Sequence, residues 1–470
     1  MLKSTAYERM RAEHPAEFAP ASVFFTHDAR SAIDRRNSFR VKAALVYEAI
    51  TGHHVDDHML RANRLLLALA KACHSAIHGK SEEKKTETET EDKSKQKVEG
   101  AAEPGTGGPK EKTQQKEEKA ELTDEVWDEE HKRVVDGIFL VVGFLPRLME
   151  AITTSSDRDG VDESFKSRHM HDIVTDVIKL ENQLPLKVLR DVAGVVQDVI
   201  RKTLELNDFN DVKESIPGGE YKLPFITKGS FDDVVHGFCW YYSPFATKKP
   251  RPPAPAPADK GPAKAAAAAA TDDDYKTLLD CLHQSVAPPP PAPGARATGR
   301  PSRMPAAREL RRVGVRIQAA ENGRAEIEFK EQWAALRLPA LVYDFKLATV
   351  ARNLLAREYE AQSKPVTRYF QMMNELVEDV ADVRLLRRAG AVRGASGGDQ
   401  EVHGLIKNID GHATYPSVYM AMDREIEKVK QHHDKRMKNF FVRNRPGVIL
   451  ASSVAAISVV AIVAARKVRG

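Results

Sequence analysis

The stretch "KLENQLPLKV", residues 179–188, decides how this chain is read. Before it, Ile173, Val174, Val177, Ile178 and Leu180 fall at helical spacing, and after it come Val188 and Leu189. The polar triplet Glu181-Asn182-Gln183 interrupts that apolar pattern, and Leu184-Pro185 follows it. Three explanations compete: a catalytic cluster, a binding motif, or a structural joint between two helices. Pro185 disfavours helical geometry at Leu184 and is itself suited to a first helical turn. The triplet therefore falls where one helix ends and the next begins, among backbone groups that lack intrahelical partners. Two amides and a carboxylate have the chemistry to satisfy them, and no nucleophile accompanies them. The joint is the favoured reading, with a binding role as its alternative.

The 470 residues around this motif suffice for two or three domains, with 42% hydrophobic and 30% charged residues. A net charge of +5 is small for this length and argues against a nucleic-acid partner, which calls for concentrated basic charge. Cys73, Cys239 and Cys281 are widely spaced. They form no C-x-x-C pair, which fits a reducing compartment and speaks against a disulfide framework or a cysteine zinc site.

Apolar stripes make residues 1–79 helical, through Val41, Leu45, Val46 and Ile50 and then Leu60, Leu65, Leu66, Leu67 and Leu69. Residues 80–122 carry almost no apolar side chain and read as a disordered charged insertion. A helical core follows over 123–247, with Pro146 expected to bend or end its first helix. Residues 248–303 are proline- and alanine-rich spacers around a short helical island, "DYKTLLDCLHQSV". Across 304–445 the texture changes: "VGVRIQ" and "AEIEF" alternate around "AAENGR" and predict a β-hairpin with a longer loop. "LRLPALVYD" adds a short extended segment. Val366, Phe370, Met373, Leu376, Val377, Val380, Val383 and Leu386 predict one long amphipathic helix stopping near Gly390.

The last part, 446–470, contains 18 consecutive residues without a charge, opening on Val448 and closing on Ala465, followed by "RKVRG". About 17 to 25 apolar residues span a bilayer as a helix. The expectation is a single C-terminal transmembrane tail anchor in the membrane lipid bilayer, with the bulk of the chain cytosolic. The basic run Lys435, Arg436, Lys438, Arg443 and Arg445 ahead of it suits anionic lipid head groups or an ordinary basic flank.

Catalytic and metal chemistry finds little support in the sequence. His54 and His58 are four apart beside His53, Asp56 and Asp57, a spacing able to chelate a metal on a helix, but no third ligand can be assigned. His169 and His171 lie close to Asp172 and Asp176, where a capped helix start is favoured over an acid/base site. His432-His433 sits in a charged helix, and the glycine-rich stretch 394–398 lacks the strand and lysine of a phosphate cradle. No G-x-S-x-G elbow, Walker loop or dinucleotide fingerprint occurs. No catalytic residue, metal ligand or cofactor is assigned.

Several motifs in order make the chain resemble the plant domain of unknown function 247 family. Its "LLENQLP" hallmark is matched by Lys179, Leu180, Glu181, Asn182, Gln183, Leu184 and Pro185, with the upstream aspartate at Asp176. Its "DGCF" is similar to Asp136-Gly137-Ile138-Phe139, and "MPAARELRRVGVRIQ" resembles its "IPSATELREAGVKF". "ARNLLAREYE" is similar to its "RNLIAFEQ" at Arg352, Asn353, Leu354, Ala356 and Glu358. The family's "SIGPYHHG" is represented only by "SVFFTHDAR", and the insertions are longer, which marks a divergent member. The resemblance implies a mostly helical, membrane-tethered plant protein with no known enzyme activity and a terminal span. It also implies unidentified protein partners, since members at grass self-incompatibility loci are implicated in pollen–stigma recognition. By that analogy the plasma membrane is favoured over an internal one. The expected fold class is mainly α: a helical multi-segment domain with a small β-hairpin, disordered insertions and one C-terminal transmembrane helix. The rival is an unrecognised enzyme or metal-dependent activity.

Overall fold

A computed structural model describes residues 5–25, 31–55, 58–86, 129–218, 220–226, 231–249, 276–289, 301–394, 397–409, 416 and 418–438. The charged insertion from 87 onward, most of the proline/alanine spacers and the apolar stretch 448–465 lie outside the described residues. Two compact units emerge: one is Arg11–Ser243 with Lys248–Ser285, the other Met1–Met10, Pro244–Thr247 and Val286–Gly470. Among the described residues, no helix is long and apolar enough to cross a membrane.

The first unit is helical. After α1 (Thr5–Glu13), of which only Arg11–Glu13 belong to this unit, and α2 (Pro15–Phe18), α3 (Ala32–Thr51) starts at Ser31, whose Oγ accepts the Asp34 N–H at 3.2 Å. It stops at Gly52, whose φ of 73° is the left-handed geometry of a helix C-terminus. Next, α4 (Met59–Thr86) buries Leu65, Leu66, Leu69 and Cys73 completely. It carries on into the first residues of the charged stretch, because Lys and Glu are good helix formers.

The apolar run around Pro146 forms α5 (Glu129–Ile138), a π-helical segment (Phe139–Phe144) and α6 (Leu145–Thr154). Pro146 does not end the helix. It lacks the N–H that would reach back four residues, and the wider π turn ahead of it absorbs the mismatch. Gly143 lets this segment approach α3: a Cβ there would sit 3.3 Å from Leu45 Cβ and 3.4 Å from the Val46 nitrogen. Then come α7 (Arg158–Ser164), α8 (Arg168–Asp176) and α9 (Leu186–Leu204). The last packs Val192, Val196 and Ile200 against α4 and α5. The unit closes with α10 (Asn210–Ser215), α11 (Phe231–Tyr242) and the start of α12 (Leu278–Val286).

In the second unit, α13 (Ala307–Arg312) precedes β1 (Arg316–Ala320), β2 (Glu328–Lys330), β3 (Ala335–Pro339) and β4 (Leu341–Val342). The expected hairpin between the first two strands does not form. Strand order is β1-β3-β2, with β1 parallel and β2 antiparallel to the middle strand. The reason is burial: "ALRLP" offers Leu336 and Leu338, both fully buried, and takes the centre, whereas no residue of β1 is buried. The tight antiparallel connection is instead 331–333, closed by Ala334 at φ 46°.

Four helices and a strand pair complete the unit: α14 (Leu347–Arg357), α15 (Pro365–Leu376), α16 (Val380–Arg388), β5 (Val392–Arg393), which pairs with β4, and α17 (Asp399–Ile409). A final helix, α18, runs over 421–438. The single long helix expected over 366–386 is thus two. Asp379 caps the second: its Oδ1 accepts the Ala381 N–H at 2.9 Å, and Asp382 Oδ2 accepts the Asp379 N–H at 3.1 Å. This capping box outweighs the apolar periodicity that runs through it.

Candidate functional site

Residues 19–25 cross the first unit without regular secondary structure, so their N–H groups need acceptors from elsewhere. Asp176, fully buried at the end of α8, supplies most of them. Its Oδ1 accepts the N–H of Ala21 at 2.9 Å, and its Oδ2 accepts those of Ser22 at 2.6 Å and Val23 at 2.9 Å. The Phe24 N–H donates to Ser38 Oγ at 2.9 Å, and the Phe25 N–H to Asn182 Oδ1 at 2.6 Å. All five consecutive amides from 21 to 25 are therefore held by side chains.

The carbonyls are met from the same sources. Asn182 Nδ2 donates to Val23 O at 2.8 Å and to Asp176 O at 3.0 Å. Lys179 Nζ donates to Ala19 O and to Asp176 Oδ1, both at 2.9 Å. Lys42 Nζ donates to Phe24 O at 2.6 Å and pairs with Asp136 at 2.5 Å. The ion pairs Lys179–Asp176 and Lys42–Asp136 leave no side chain more than 4% exposed, so all four charges are desolvated. Such pairs contribute modestly when intact and are expensive to break.

Gln183 closes the α8–α9 joint. Its Nε2 donates to the carbonyls of Val177 and Lys179 at 2.9 Å, and its Oε1 accepts the Leu279 N–H at 3.1 Å. Leu184 is buried, Leu180 half-buried, and Pro185 stands at the N-cap of α9. Glu181 alone of the triplet turns outward, to Arg11 Nε at 2.5 Å. The motif thus sits at a helix joint and also clasps a strap 155 residues upstream, a pairing with no signal in local sequence.

A model of the domain of unknown function 247 family, described as plant protein of unknown function, matches residues 131–465. The chain belongs to this family. It is also similar to a protein of Arabidopsis thaliana named as a UPF0481 protein, 29% identical over 138 residues. That stretch is 29% of this chain, which spans about a quarter (26%) of the relative's length. No solved structure matches the chain.

In this domain of unknown function 247 member, the clasp residues Asp136, Asp176, Lys179 and Asn182 lie within the family match, while the strap precedes it. The other family-like pair, Arg352 and Asn353, is buried on α14 in the second unit. Arg352 donates to Asn408 O at 3.1 Å and Asn353 to Thr349 O at 2.7 Å. There too, a buried charge holds backbone, here the first turn of α15. Glu358 accepts the N–H groups of Val366 and Thr367 at 3.0 and 2.7 Å, and Arg368, fully buried, donates to Asp423 at 2.7 Å.

The histidines fall out differently from their sequence neighbourhoods. His54 bonds Glu48 at 3.1 Å and the His58 ring lies 6.1 Å from that of Tyr47, while residues 56–57 lie outside the described residues. Ser167 caps α8 through the Met170 N–H at 3.3 Å, near His169 and His171. What the sequence reading missed is a convergence of His74, His78 and Glu130, whose donor atoms lie within 4.8 Å of one another. The 74–78 spacing was visible as H-x-x-x-H; Glu130 lies beyond the charged insertion. A cleft of about 400 Å³ also opens beside Leu45, Glu48, His54, Arg147, Glu150 and Tyr221.

Proposed function

We propose that this family member is a membrane-tethered, non-enzymatic protein that acts in recognition or scaffolding through protein partners, with most of its chain facing the cytosol. The observation that carries the tether is the 18-residue charge-free run from Val448 to Ala465, flanked by basic residues. The family match closes at residue 465, on the last apolar residue of that run, which favours treating it as part of the domain's working form. A non-catalytic role draws support from the signature itself. The polar atoms of Asn182 and Gln183 bond the chain's own backbone and offer a substrate no reactive group.

The test is deletion of residues 446–470 followed by membrane fractionation and proximity labelling. The truncated chain should move to the soluble fraction and lose its membrane-proximal neighbours. Retention in carbonate-washed membranes would overturn the tether. A labelled set restricted to one internal membrane would replace the plasma-membrane assignment that the family analogy favours.

A further inference from the structure

Helices α4 and α5 lie on either side of residues 87–128, which include most of the charged insertion, and pack against each other. His74 and His78 are four residues apart on α4, so their rings project from one face. Glu130 lies in the first turn of α5. Its Oε2 is 3.8 Å from His74 Nε2 and 3.5 Å from His78 Nε2. The His74 ring is stacked on that of His131, with centroids 3.7 Å apart and planes 16° from parallel, which fixes its orientation.

These distances separate two readings. A histidine–glutamate hydrogen bond brings nitrogen and oxygen to about 2.7–3.2 Å. Here one carboxylate oxygen stands somewhat beyond that range from two ring nitrogens at once. Ligands at about 2.0–2.2 Å from a tetrahedral zinc ion are about 3.3–3.5 Å from one another, close to the separations observed. With one donor atom from each of the three side chains lying within 4.8 Å of the others, the three can share one ion.

We propose that His74, His78 and Glu130 bind a divalent transition metal of the zinc class. Two imidazoles and a carboxylate are ligands this ion accepts, and three protein ligands leave a fourth position for water. The carboxylate offsets part of the ion's charge, and the nearby Lys132 is engaged by Glu129 at 3.2 Å. The bound ion joins α4 to α5 across the insertion, so it stabilises the folded chain by binding it in preference to the unfolded one. The site stands independently of the membrane reading.

The experiment uses the full chain in detergent, stripped with a chelator and titrated with zinc chloride by calorimetry. Cobalt(II) serves as a spectroscopic probe of tetrahedral geometry. Since His74 packs on both His131 and His78, at centroid distances of 3.7 and 4.2 Å, it is left in place, and the variants are His78→Gln and Glu130→Gln, whose side chains are 45% and 63% exposed. One ion per chain is expected, with affinity reduced about tenfold or more in each variant, unchanged in His54→Gln, and a melting midpoint that zinc raises only in the parent and His54→Gln. Absence of stoichiometric binding by the parent, or binding that His78→Gln and Glu130→Gln leave intact, would overturn the assignment.

Discussion

Replacing Asp176 by Asn tests whether the signature holds the strap. The substitution keeps the shape and removes the charge, leaving the Lys179 ammonium, 2% exposed, without its carboxylate. Removing one partner of a buried ion pair costs about 3–5 kcal/mol. The amide also presents one oxygen where the carboxylate presents two. Oδ1 serves Ala21 and Lys179, and Oδ2 serves Ser22 and Val23, so either orientation turns an NH2 toward backbone donors. An orphaned buried N–H adds about 1–3 kcal/mol. The sum, about 4–8 kcal/mol, rivals the roughly 5–15 kcal/mol that holds a whole domain together. Hydrogen exchange resolved to residues 19–25 and urea unfolding give the readout. Exchange across this strap should accelerate, and Asp176→Asn with Lys179→Met should recover part of the loss by removing the unpaired charge. If the single variant does not fold, Asn182→Ala offers a milder version, deleting three bonds while sparing the ion pair. Unchanged exchange over 19–25, with stability within about 1 kcal/mol of the parent in both variants, would refute the clasp.

Two further outcomes follow from burial. Desolvation pushes the Cys73 and Cys239 thiols up to about 12, leaving roughly one in ten thousand as thiolate at pH 8. Iodoacetamide should spare both in the native chain and modify them in urea; native labelling at either position would contradict the packing. His432 is held below its ordinary value of 6.5, first by burial and then by Arg436 and Lys435, against an opposing pull from Glu331. Its ring meets Phe329 edge-on at 5.4 Å. A depressed histidine means that the unfolded chain binds more protons between the folded value and 6.5. Stability is therefore complete above that window and falls as pH drops through it. Urea midpoints at pH 7 and pH 5 should differ less in His432→Phe than in the parent, and an equal difference would rule the ring out as the source.

The helical texture of the first unit was legible because its apolar stripes are long and periodic, as at Leu65, Leu66 and Leu69. Where the reading failed, a local polar device beat the periodicity. Asp379 and Asp382 cut one expected helix into two, and that capping box was present in the sequence but outvoted by the apolar count. The hairpin failed for a different reason. The alternation on either side of "AAENGR" pairs neighbouring segments, whereas the partner was chosen by burial of Leu336 and Leu338 on a segment farther along. The joint at Glu181-Asn182-Gln183 was readable from Pro185, because a proline acts on its immediate neighbours. Its second task, holding residues 21–25, was not, because hydrogen bonds between positions 155 apart leave no periodic mark. His74, His78 and Glu130 illustrate the same limit: half of the cluster is a helical spacing, and the other half is a tertiary contact.

The saturation of the signature also constrains where this chain can meet anything else. Asn182 has its oxygen on Phe25 and its amide on Val23 and Asp176, while Gln183 has its oxygen on Leu279 and its amide on Val177 and Lys179. An incoming ligand would have to displace several bonds to buried or part-buried backbone groups that would then be stranded. Only Glu181 differs. Its pair with Arg11 is exposed, and a surface pair contributes at most about 1 kcal/mol, so exchanging it for an outside cation costs little. A motif read at first as a choice between joint and binding site therefore divides by residue. Asp176, Asn182 and Gln183 build the fold, and any recognition the motif performs must pass through Glu181 or through the surface that the clasped strap presents.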